Sequence, residues 1–313
     1  MTKNDNFNKA KIAKSDEFYT QLTDIEKEIK HYIPHFKGKT VYCNCDDARK
    51  SNFVKYFTLN FEKLGLKKLI ATGYNADGKG VVLVYEGNKD TEIKQLEGNG
   101  DFRSEECIEF LKESDIVATN PPFSLFKPYF RQLTDFNKKF IIIGSTNAIT
   151  YKEVFPFIKN NELWLGVSSF NNGMYFQVPD NYEYAETYKF DRERNGVKVM
   201  RVASICWFTN LENEKRNHPL DLYKHYSNEY KHYDNYDAIE VSKVGDIPMD
   251  YDGVMGVPIT FINKYCPEQF EIIGITENAD YLKPLYIENY GKYHRPYIDG
   301  KCLYARILIR HRK

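Results

Sequence analysis

One short stretch of the chain combines the groups needed to hold an aromatic amine. Residues Thr119-Asn120-Pro121-Pro122-Phe123 end an apolar run that has the character of a buried strand. The two prolines fix φ and remove two backbone donors, so the segment is stiff and its carbonyl oxygens are available as acceptors. Asn120 adds a side-chain carbonyl and Phe123 adds a flat ring. Rigid acceptors beside an aromatic face suit a planar substrate with an exocyclic amine, although an ordinary proline-marked turn has the same composition.

The elements before this stretch have the order of a parallel α/β sheet. A strand is predicted at 39–43, and apolar residues recur at helical spacing from 53 to 64. Gly65 allows that helix to end, and a second strand is predicted at 68–72. Strand, helix and strand at this spacing indicate a βαβ unit and hence a parallel sheet.

Further elements continue this order, and polar loops follow the strands. The remaining predictions are a hairpin at 81–85 and 91–96, a helix at 105–111, a strand at 115–119, a helix ending at 133 and a strand at 140–144. In open α/β sheets ligands bind outside the carboxyl ends of the strands. Residues 44–47, Asp101 and Asn120 all follow predicted strands, so we expect them to share one site.

The pattern changes in the second half of the chain. Strand-like segments are predicted at 162–167, 174–178, 197–208, 254–259 and 270–274, with a change of composition near 210. From Lys283 to the end, eight Lys and Arg residues accompany only two acidic residues. This basic segment is either a solvated tail or a surface that contacts phosphates.

Composition narrows the functional classes. The 313 residues are 42% hydrophobic and 28% charged, which predicts a substantial core, and 44 basic residues balance 44 acidic ones. Zero net charge counts mildly against a nucleic-acid binder, whereas the 15% of aromatic residues suit base stacking or simply a tyrosine-rich core.

Cysteine usage and hydropathy indicate the compartment. The six cysteines are scattered, no secretory signal is present, and no apolar run approaches the roughly 20 residues of a membrane span. We therefore predict a reduced, cytoplasmic protein without a membrane segment. Cys43 and Cys45 lack a second pair at zinc-binding spacing, so no metal site is predicted.

The order of the polar motifs resembles one enzyme family. Asp16-Glu17-Phe18-Tyr19-Thr20, residues 41–47 (Val-Tyr-Cys-Asn-Cys-Asp-Asp), Asn120-Pro121-Pro122-Phe123 and residues 255–261 are similar to motifs of the adenine-specific DNA methyltransferases of the EcoRI type. The resemblance extends from about Asp16 to Arg310. It implies a Rossmann-like, S-adenosylmethionine-dependent sheet with helices on both faces, plus a C-terminal target-recognition region. The corresponding domains are a flexible arm at 1–15, a catalytic domain at 16–210 and a DNA-recognition region at 211–313.

The resemblance also implies roles for individual residues. Asn120 Oδ1 and the Pro121 carbonyl would accept from the target amine, Pro122 would stiffen the loop and Phe123 would stack on a flipped adenine. The cofactor would be contacted by Phe18, Tyr19, Thr20, Asn44, Asp46, Asp47, Asp101 and Phe102. Residues 168–176 are either a second wall of the base pocket or a plain turn between strands.

Two features depart from the common methyltransferase pattern. The loop after the first strand, Cys43 to Asp47, has no glycine, and the second strand ends at Thr72-Gly73 without the acid that commonly holds the ribose. The EcoRI-type group shares the unusual first loop, so we do not interpret this departure as loss of the site.

The implied activity is methyl transfer from S-adenosylmethionine to the N6 amine of adenine in double-stranded DNA, without a metal. A restriction endonuclease that acts on the same site, without forming a stable complex, is a further expected partner. Alternatives on the same fold are N4-cytosine in DNA, adenine in RNA or a glutamine amide in protein. A non-catalytic DNA-binding relative and a small-molecule methyltransferase are the alternatives from other classes.

Overall fold

The computed structural model describes residues 19–87, 92–168, 170, 173–276, 285 and 295–312. The chain forms two compact units. The first comprises the described residues up to Thr146 together with Gly166–Leu211, and the second comprises Asn147–Leu165 together with the described residues from Glu212 onward. The predicted arm at 1–15, Phe18 and the basic residues Lys283 and Lys292 lie outside the described residues.

Short strands and helices alternate along the chain. The strands are β1 (Tyr19–Thr20), β2 (Thr40–Cys43), β3 (Lys68–Gly73), β4 (Val81–Tyr85), β5 (Glu92–Gln95), β6 (Ile116–Thr119), β7 (Lys139–Ser145), β8 (Trp164–Leu165), β9 (Met174–Gln177), β10 (Glu193–Arg194), β11 (Val197–Val202), β12 (Ile205–Thr209), β13 (Ile239–Glu240), β14 (Met255–Pro258), β15 (Phe270–Ile275), β16 (Tyr297–Ile298), β17 (Lys301–Cys302) and β18 (Arg306–His311). The α-helices are α1 (Leu22–Ile29), α2 (Ile33–Phe36), α3 (Asn52–Leu59), α4 (Phe61–Leu64), α5 (Glu105–Glu113), α6 (Phe126–Asp135) and α7 (Phe155–Lys159). 3-10 turns occur at Lys30–Tyr32, Phe123–Leu125, Thr146–Thr150, Glu214–Asn217, Val244–Asp246 and Ile259–Lys264.

A mixed sheet with a parallel centre forms the first unit. Its strands lie in the order β5-β4-β3-β2-β6-β7-β12. Strands β3, β2, β6 and β7 are parallel, whereas β4, β5 and β12 add antiparallel strands at the two sides. The predicted α/β sheet with a parallel centre is thus confirmed, with more antiparallel strands than the βαβ pattern indicated.

The connections create a topological switch point in the middle of this sheet, where the crossovers from neighbouring strands run in opposite directions. From β2 the chain passes through α3 and α4 to β3 on one side, and from β6 it passes through α6 to β7 on the other side. Parallel crossovers are right-handed, so two that run in opposite directions place their helices on opposite faces. The gap beyond the carboxyl ends of β2 and β6 is therefore where a doubly wound sheet binds its ligand.

Local sequence explains why the crossover elements begin and end where they do. Ser51 caps α3 by accepting from the backbone N–H of Phe53 at 3.0 Å, and Ser104 caps α5 by accepting from Cys107 N at 3.3 Å. Gly65 ends α4 with φ at 62°, a conformation that glycine adopts without strain. Helix α3 buries Phe53, Val54, Tyr56 and Phe57 against the sheet, and each such side chain contributes about 1.5–3 kcal/mol.

A second, antiparallel sheet of the first unit has the order β1-β9-β11-β10. Its register places Tyr19 opposite Gln177 and Thr20 opposite Phe176. The single strand predicted at 197–208 is instead two strands, since β11 belongs to this sheet and β12 to the large one. This small sheet brings the Tyr19-Thr20 motif beside the segment that the sequence offered as a pocket wall.

The second unit contains a sheet with the order β13-β14-β18-β15. Its strand β18 lies between β14 and β15, and Ile307, Leu308 and Ile309 are fully buried. Part of the basic C-terminal segment is therefore a core strand and not a solvated tail. The flanking Arg306 is itself paired with Glu240 at 2.8 Å.

None of the described helices is long and apolar enough to cross a membrane.

Candidate active site

The site is organised by Asp46, at the carboxyl end of β2. Its Oδ1 accepts from Ser51 Oγ at 2.5 Å, and its Oδ2 accepts from Thr119 Oγ1 at the end of β6. The Asp46 backbone N–H donates to the Thr72 carbonyl on β3 at 3.0 Å. One residue thus joins the ends of three neighbouring strands across the switch point.

Burial controls the charge of this carboxyl. Asp46 is only 6% exposed. Burial raises the pKa of Asp46 from its ordinary value of 3.8 to about 6, although the hydrogen bonds from Ser51 and Thr119 favour the charged form and oppose the rise. The group is therefore mostly ionised at neutral pH, and the two hydroxyls are the donors that stabilise the charge.

Asn120 directly follows Thr119. The hydrogen bond from Thr119 to Asp46 therefore fixes the backbone on which Asn120 begins. Asn120 is half-buried and its Oδ1 is shielded from solvent. The Pro122 carbonyl accepts from Leu125 N at 2.9 Å and thereby forms the turn that carries Phe123. The Phe123 ring lies edge-on to Phe176 at 6.3 Å between centroids.

Helix α6, which follows this turn, braces the two loops predicted to hold the cofactor. Tyr129 donates its hydroxyl to Asn44 Oδ1, and Gln132 Nε2 donates to the Phe102 carbonyl at 3.0 Å. The rings of Phe102 and Tyr129 meet edge-to-face at 5.1 Å. Residues three apart lie on one helix face, which is why Tyr129 and Gln132 reach neighbouring loops. Burial raises the pKa of Tyr129 well above its usual range, so it stays a proton donor.

Asp101 has a partner that the sequence did not indicate. Arg103 binds its carboxylate through Nε at 2.9 Å and Nη2 at 2.6 Å. These hydrogen bonds hold the pKa of Asp101 below its usual range. The Arg103 guanidinium also lies 5.3 Å from the centre of the Phe102 ring. Asp101 is consequently a charged carboxylate at any pH near neutrality.

Packing explains why position 73 is a glycine, where the common methyltransferase pattern has an acidic residue. A Cβ on Gly73, at the end of β3, would lie 2.8 Å from Asp47 Cα. The backbone of the loop after β2 therefore occupies the space that a side chain at this position would need. Asp47 itself is half-buried and accepts from Arg49 N at 2.9 Å.

The N-terminal motif reaches the site through β1. The Thr20 carbonyl accepts from Asn52 Nδ2 at 2.7 Å, and its register partner Phe176 contacts Phe123. Thr20 Oγ1 is buried and has no hydrogen-bond partner among the residues that the structure describes. This hydroxyl has unused capacity to bind a polar ligand, whereas Phe18 lies outside the described residues.

A buried glutamate anchors the segment that leads into β9. Glu28 of α1 is fully buried and accepts from Val167 N at 2.8 Å and Ser168 N at 2.7 Å. Six residues farther on, β9 begins and presents Phe176 to Phe123. Within residues 168–176, the structure thus supplies Phe176 as a neighbour of the signature. Residues 169, 171 and 172 lie outside the described part of the chain.

The structure brings most predicted site residues together but adds others. Asn44, Asp46 and Asp47 lie in the loop after β2. Asn44 and Phe102 both contact helix α6. Thr20 is linked to Phe123 through its register partner Phe176. Sequence patterns gave no role in the site to Ser51, Thr72, Thr119, Gln132, Tyr129 and Arg103. The usable signals were the capping position of Ser51 and the i, i+3 spacing of Tyr129 and Gln132.

The polar groups and rings of the site suit a ligand that carries amino and hydroxyl groups. Asn44, Asp47 and Asp101 offer acceptor oxygens, Thr20 offers a hydroxyl, and Phe102 and Phe123 offer rings. Among the described ranges, no group of three or more His, Cys, Asp or Glu residues is arranged to hold a metal ion.

Comparison with known proteins shows which enzymes this chain is similar to. Residues 6–312 match the family described as Adenine-specific methyltransferase EcoRI. The chain is 48% identical over 326 residues to the Type II methyltransferase M.EcoRI of Escherichia coli, covering 97% of this chain and 96% of that protein. It is 41% identical over 313 residues to the Type II methyltransferase M.MgeORF184P of Mycoplasma genitalium, with 97% and 98% covered. It is also 41% identical over 316 residues to the Type II methyltransferase M.MpnI of Mycoplasma pneumoniae, with 98% of each covered. No solved structure gives a significant match.

Proposed function

This chain belongs to the EcoRI family of adenine-specific methyltransferases, and we propose that it methylates the N6 amine of an adenine flipped out of double-stranded DNA, with S-adenosylmethionine as donor. The observation that best supports this assignment is the Asp46–Thr119 hydrogen bond. It ties the loop expected to hold the cofactor to the residue that precedes Asn120, so donor site and acceptor site are held in one geometry.

On the adenine side, Asn120 and Pro121 accept from the target amine. The amine of a stacked, paired adenine is out of reach, so the base must leave the duplex before it can enter a pocket. Carbonyl oxygens of Asn120 and Pro121 that accept both amine hydrogens concentrate the lone pair on nitrogen and direct it away from the acceptors. Phe123 stacks on the base, and Phe176 supports Phe123 from the side.

On the cofactor side, acceptor oxygens and rings surround the site. We assign Phe18, Tyr19, Thr20, Asn44, Asp47, Asp101 and Phe102 as the residues that hold S-adenosylmethionine. When bound, this cofactor supplies an electrophilic methyl group on a sulfonium. A carboxylate has about four lone-pair sites, so Asp101 can accept from an adenine amine while Arg103 keeps its three hydrogen bonds, one from its backbone N–H and two from its guanidinium. Thr20 Oγ1 gains in the complex the partner that it lacks among the described residues.

Asp46 serves this site by positioning its neighbours. Both of its oxygens accept from hydroxyls of the protein, one from Ser51 and one from Thr119. The carboxylate thus fixes the cofactor loop relative to the strand that ends in Asn120. Because small displacements of reacting groups lower rates strongly, this alignment is where the protein contributes to the rate.

The second unit is assigned to recognition of the DNA sequence. Residues 211–313 contain Lys and Arg side chains that can position phosphates, and a smaller set would contact base edges. Since the curated relatives are named Type II methyltransferases, we further propose that methylation protects the site from a restriction endonuclease that cleaves there.

Incubation of the purified protein with unmethylated genomic DNA and methyl-labelled S-adenosylmethionine tests this function. Nucleoside analysis should find the label in N6-methyladenine, and modification-sensitive sequencing should place it in one recurring motif. Label in N4-methylcytosine would overturn the substrate assignment. Label that appears only with RNA or protein as acceptor would overturn the DNA assignment.

A further inference from the structure

Cationic side chains lie on aromatic rings throughout residues 175–201. The guanidinium of Arg194 lies 3.4 Å from the ring centre of Tyr175, and that of Arg201 lies 4.4 Å from Phe190. Arg192 and Lys198 both lie over Tyr184, at 5.1 Å and 5.5 Å. Such pairs occur about once per 70–80 residues in proteins, so four in this short segment are a marked concentration. We call Arg192, Arg194, Lys198 and Arg201, with the rings beneath them, the arginine–aromatic surface.

This surface adjoins the pocket assigned to the adenine. Phe176 of β9 contacts Phe123, and Tyr175 is the preceding residue of the same strand. Arg201 is the register partner of Tyr175 on β11. A Cβ on Gly173 would lie 3.1 Å from the Arg201 guanidinium carbon, so Arg201 also reaches the residue before β9. Tyr175 and Phe176 point to opposite faces of β9, but Tyr184 and Tyr188 pack against the same buried cluster as Phe123. The rings beneath the cations therefore continue into the packing around Phe123, and DNA that delivers a base there passes near them.

The rings beneath Arg192, Lys198 and Arg201 belong to one continuous layer, which holds these three cations in place. Tyr184 and Tyr188 lie 5.0 Å apart, and Tyr188 and Phe190 lie 5.8 Å apart. A guanidinium stacked flat on a ring keeps its N–H groups in its own plane, where they can bind the oxygens of a phosphate. Arg192 and Arg194 are exposed, and Phe190 is 50% exposed although it is a large apolar side chain. Less side-chain entropy is lost on binding when the cations are already ordered.

The neighbouring acids restrict what this surface can bind. Asp191 accepts from Arg194 Nη2 at 2.8 Å, and Glu183, Glu186 and Glu193 are exposed in the same segment. The balance of charge argues against general attraction of polyanions. It favours a few directed contacts, in which a phosphate oxygen replaces or joins Asp191 on a stacked guanidinium.

We propose that the arginine–aromatic surface binds the phosphate backbone of duplex DNA beside the flipped adenine. This assignment rests on the proposed function, and it adds a DNA contact in the catalytic unit to the recognition region at 211–313. Contacts to phosphates position the duplex but carry no sequence information. Loss of these cations should therefore weaken binding equally for all sequences and leave the methylated motif unchanged.

Salt-dependent binding to a fluorescent duplex that carries the methylated motif tests the assignment. Arg192→Ala and Arg201→Ala should each lower the slope of log K against log salt by about 0.9 for every phosphate that the variant no longer neutralises. The matched control is Arg131→Ala, since Arg131 is an exposed arginine of the same unit on α6 with no ring beneath it among the described residues. Its slope should equal that of the wild type. Arg192→Lys should retain most of the slope because the charge remains.

Two outcomes would overturn the assignment. One is a salt slope that is unchanged in both alanine variants while the wild type methylates DNA. The other is a fall of the slope in Arg131→Ala that is as large as in Arg192→Ala and Arg201→Ala. Thermal unfolding and S-adenosylmethionine binding of each variant establish that it is folded, and Arg192→Gln and Arg201→Gln replace any alanine variant that is not. A wild type that fails to methylate DNA would instead refute the proposed function itself.

Discussion

Replacing the buried carboxyl of Asp46 by an amide should make the enzyme more stable and less active. The folded protein binds a proton at Asp46 more tightly than the unfolded chain does, since burial raises the pKa from 3.8 to about 6. The stability that this proton contributes is complete below the unfolded pKa and is lost as pH rises through the folded pKa. At pH 8 the ionised carboxyl therefore costs about 3 kcal/mol relative to a protonated one.

Asp46→Asn removes this cost because the amide stays neutral. Its oxygen can accept from one of the hydroxyls of Ser51 and Thr119, and its NH₂ can donate to the other. The stability difference between variant and wild type should be larger at pH 8 than at pH 5 by about 1 kcal/mol, from the two pKa values. Urea unfolding of both proteins at the two pH values measures it. Asp135→Asn is the matched control, because its carboxyl on α6 is 66% exposed.

The same variant should lose activity because a charge-assisted hydrogen bond to Thr119 is lost. Such bonds contribute about 1.5–3 kcal/mol, so kcat should fall by about 10- to 100-fold while KM for DNA changes little. A stability difference that does not depend on pH would refute the burial argument. A stable variant with wild-type kcat would refute the positioning role of Asp46.

Three further substitutions test other parts of the structure. Tyr129→Phe removes the hydrogen bond to the loop after β2, so the affinity for S-adenosylmethionine, measured by calorimetry, should fall about fivefold, or by about 1 kcal/mol. Unchanged affinity would contradict the bracing role of α6. Glu28→Ala leaves two partly buried N–H groups without their acceptor and should lower the free energy of unfolding by about 3 kcal/mol. A loss below about 1 kcal/mol would contradict this anchor. Arg306→Ala leaves the buried Glu240 carboxylate without its cationic partner and should destabilise the second unit by about 3–5 kcal/mol. The Arg310 pair is exposed, so Arg310→Ala should cost less than about 1 kcal/mol, and equal effects would contradict the difference in burial.

The sequence predicted the elements of the catalytic sheet better than it predicted their contacts. Periodicity located the crossover helix near Phe57 and the strand before Asn120, because both depend on local patterns. The hydrogen bond between Asp46 and Thr119 joins residues 73 positions apart, and no local pattern specifies such a pair. The Arg103 partner of Asp101 was missed although the two residues are close in sequence, because side-chain direction in a turn depends on the folded loop.

The C-terminal strand β18 was not predicted, for a different reason. Residues 306–310 read Arg-Ile-Leu-Ile-Arg, and attention to the charges suggested a tail or a phosphate patch. A strand buried on both faces appears as a continuous apolar run, here only three residues long, and this signal is too short to outweigh its charged ends. The packing of β18 between two other strands is a long-range property of the second unit.

The most direct test of the central claim is to measure methyl transfer and cofactor binding side by side in Asn120→Ala. We assign Asn120 to the target amine and not to the cofactor. Single-turnover methylation of DNA should therefore be lost, while the dissociation constant for S-adenosylmethionine measured by calorimetry stays within about twofold of the wild type, a difference of about 0.4 kcal/mol. Loss of both together would show that Asn120 belongs to the cofactor site. Methylation at the wild-type rate would show that another group holds the amine.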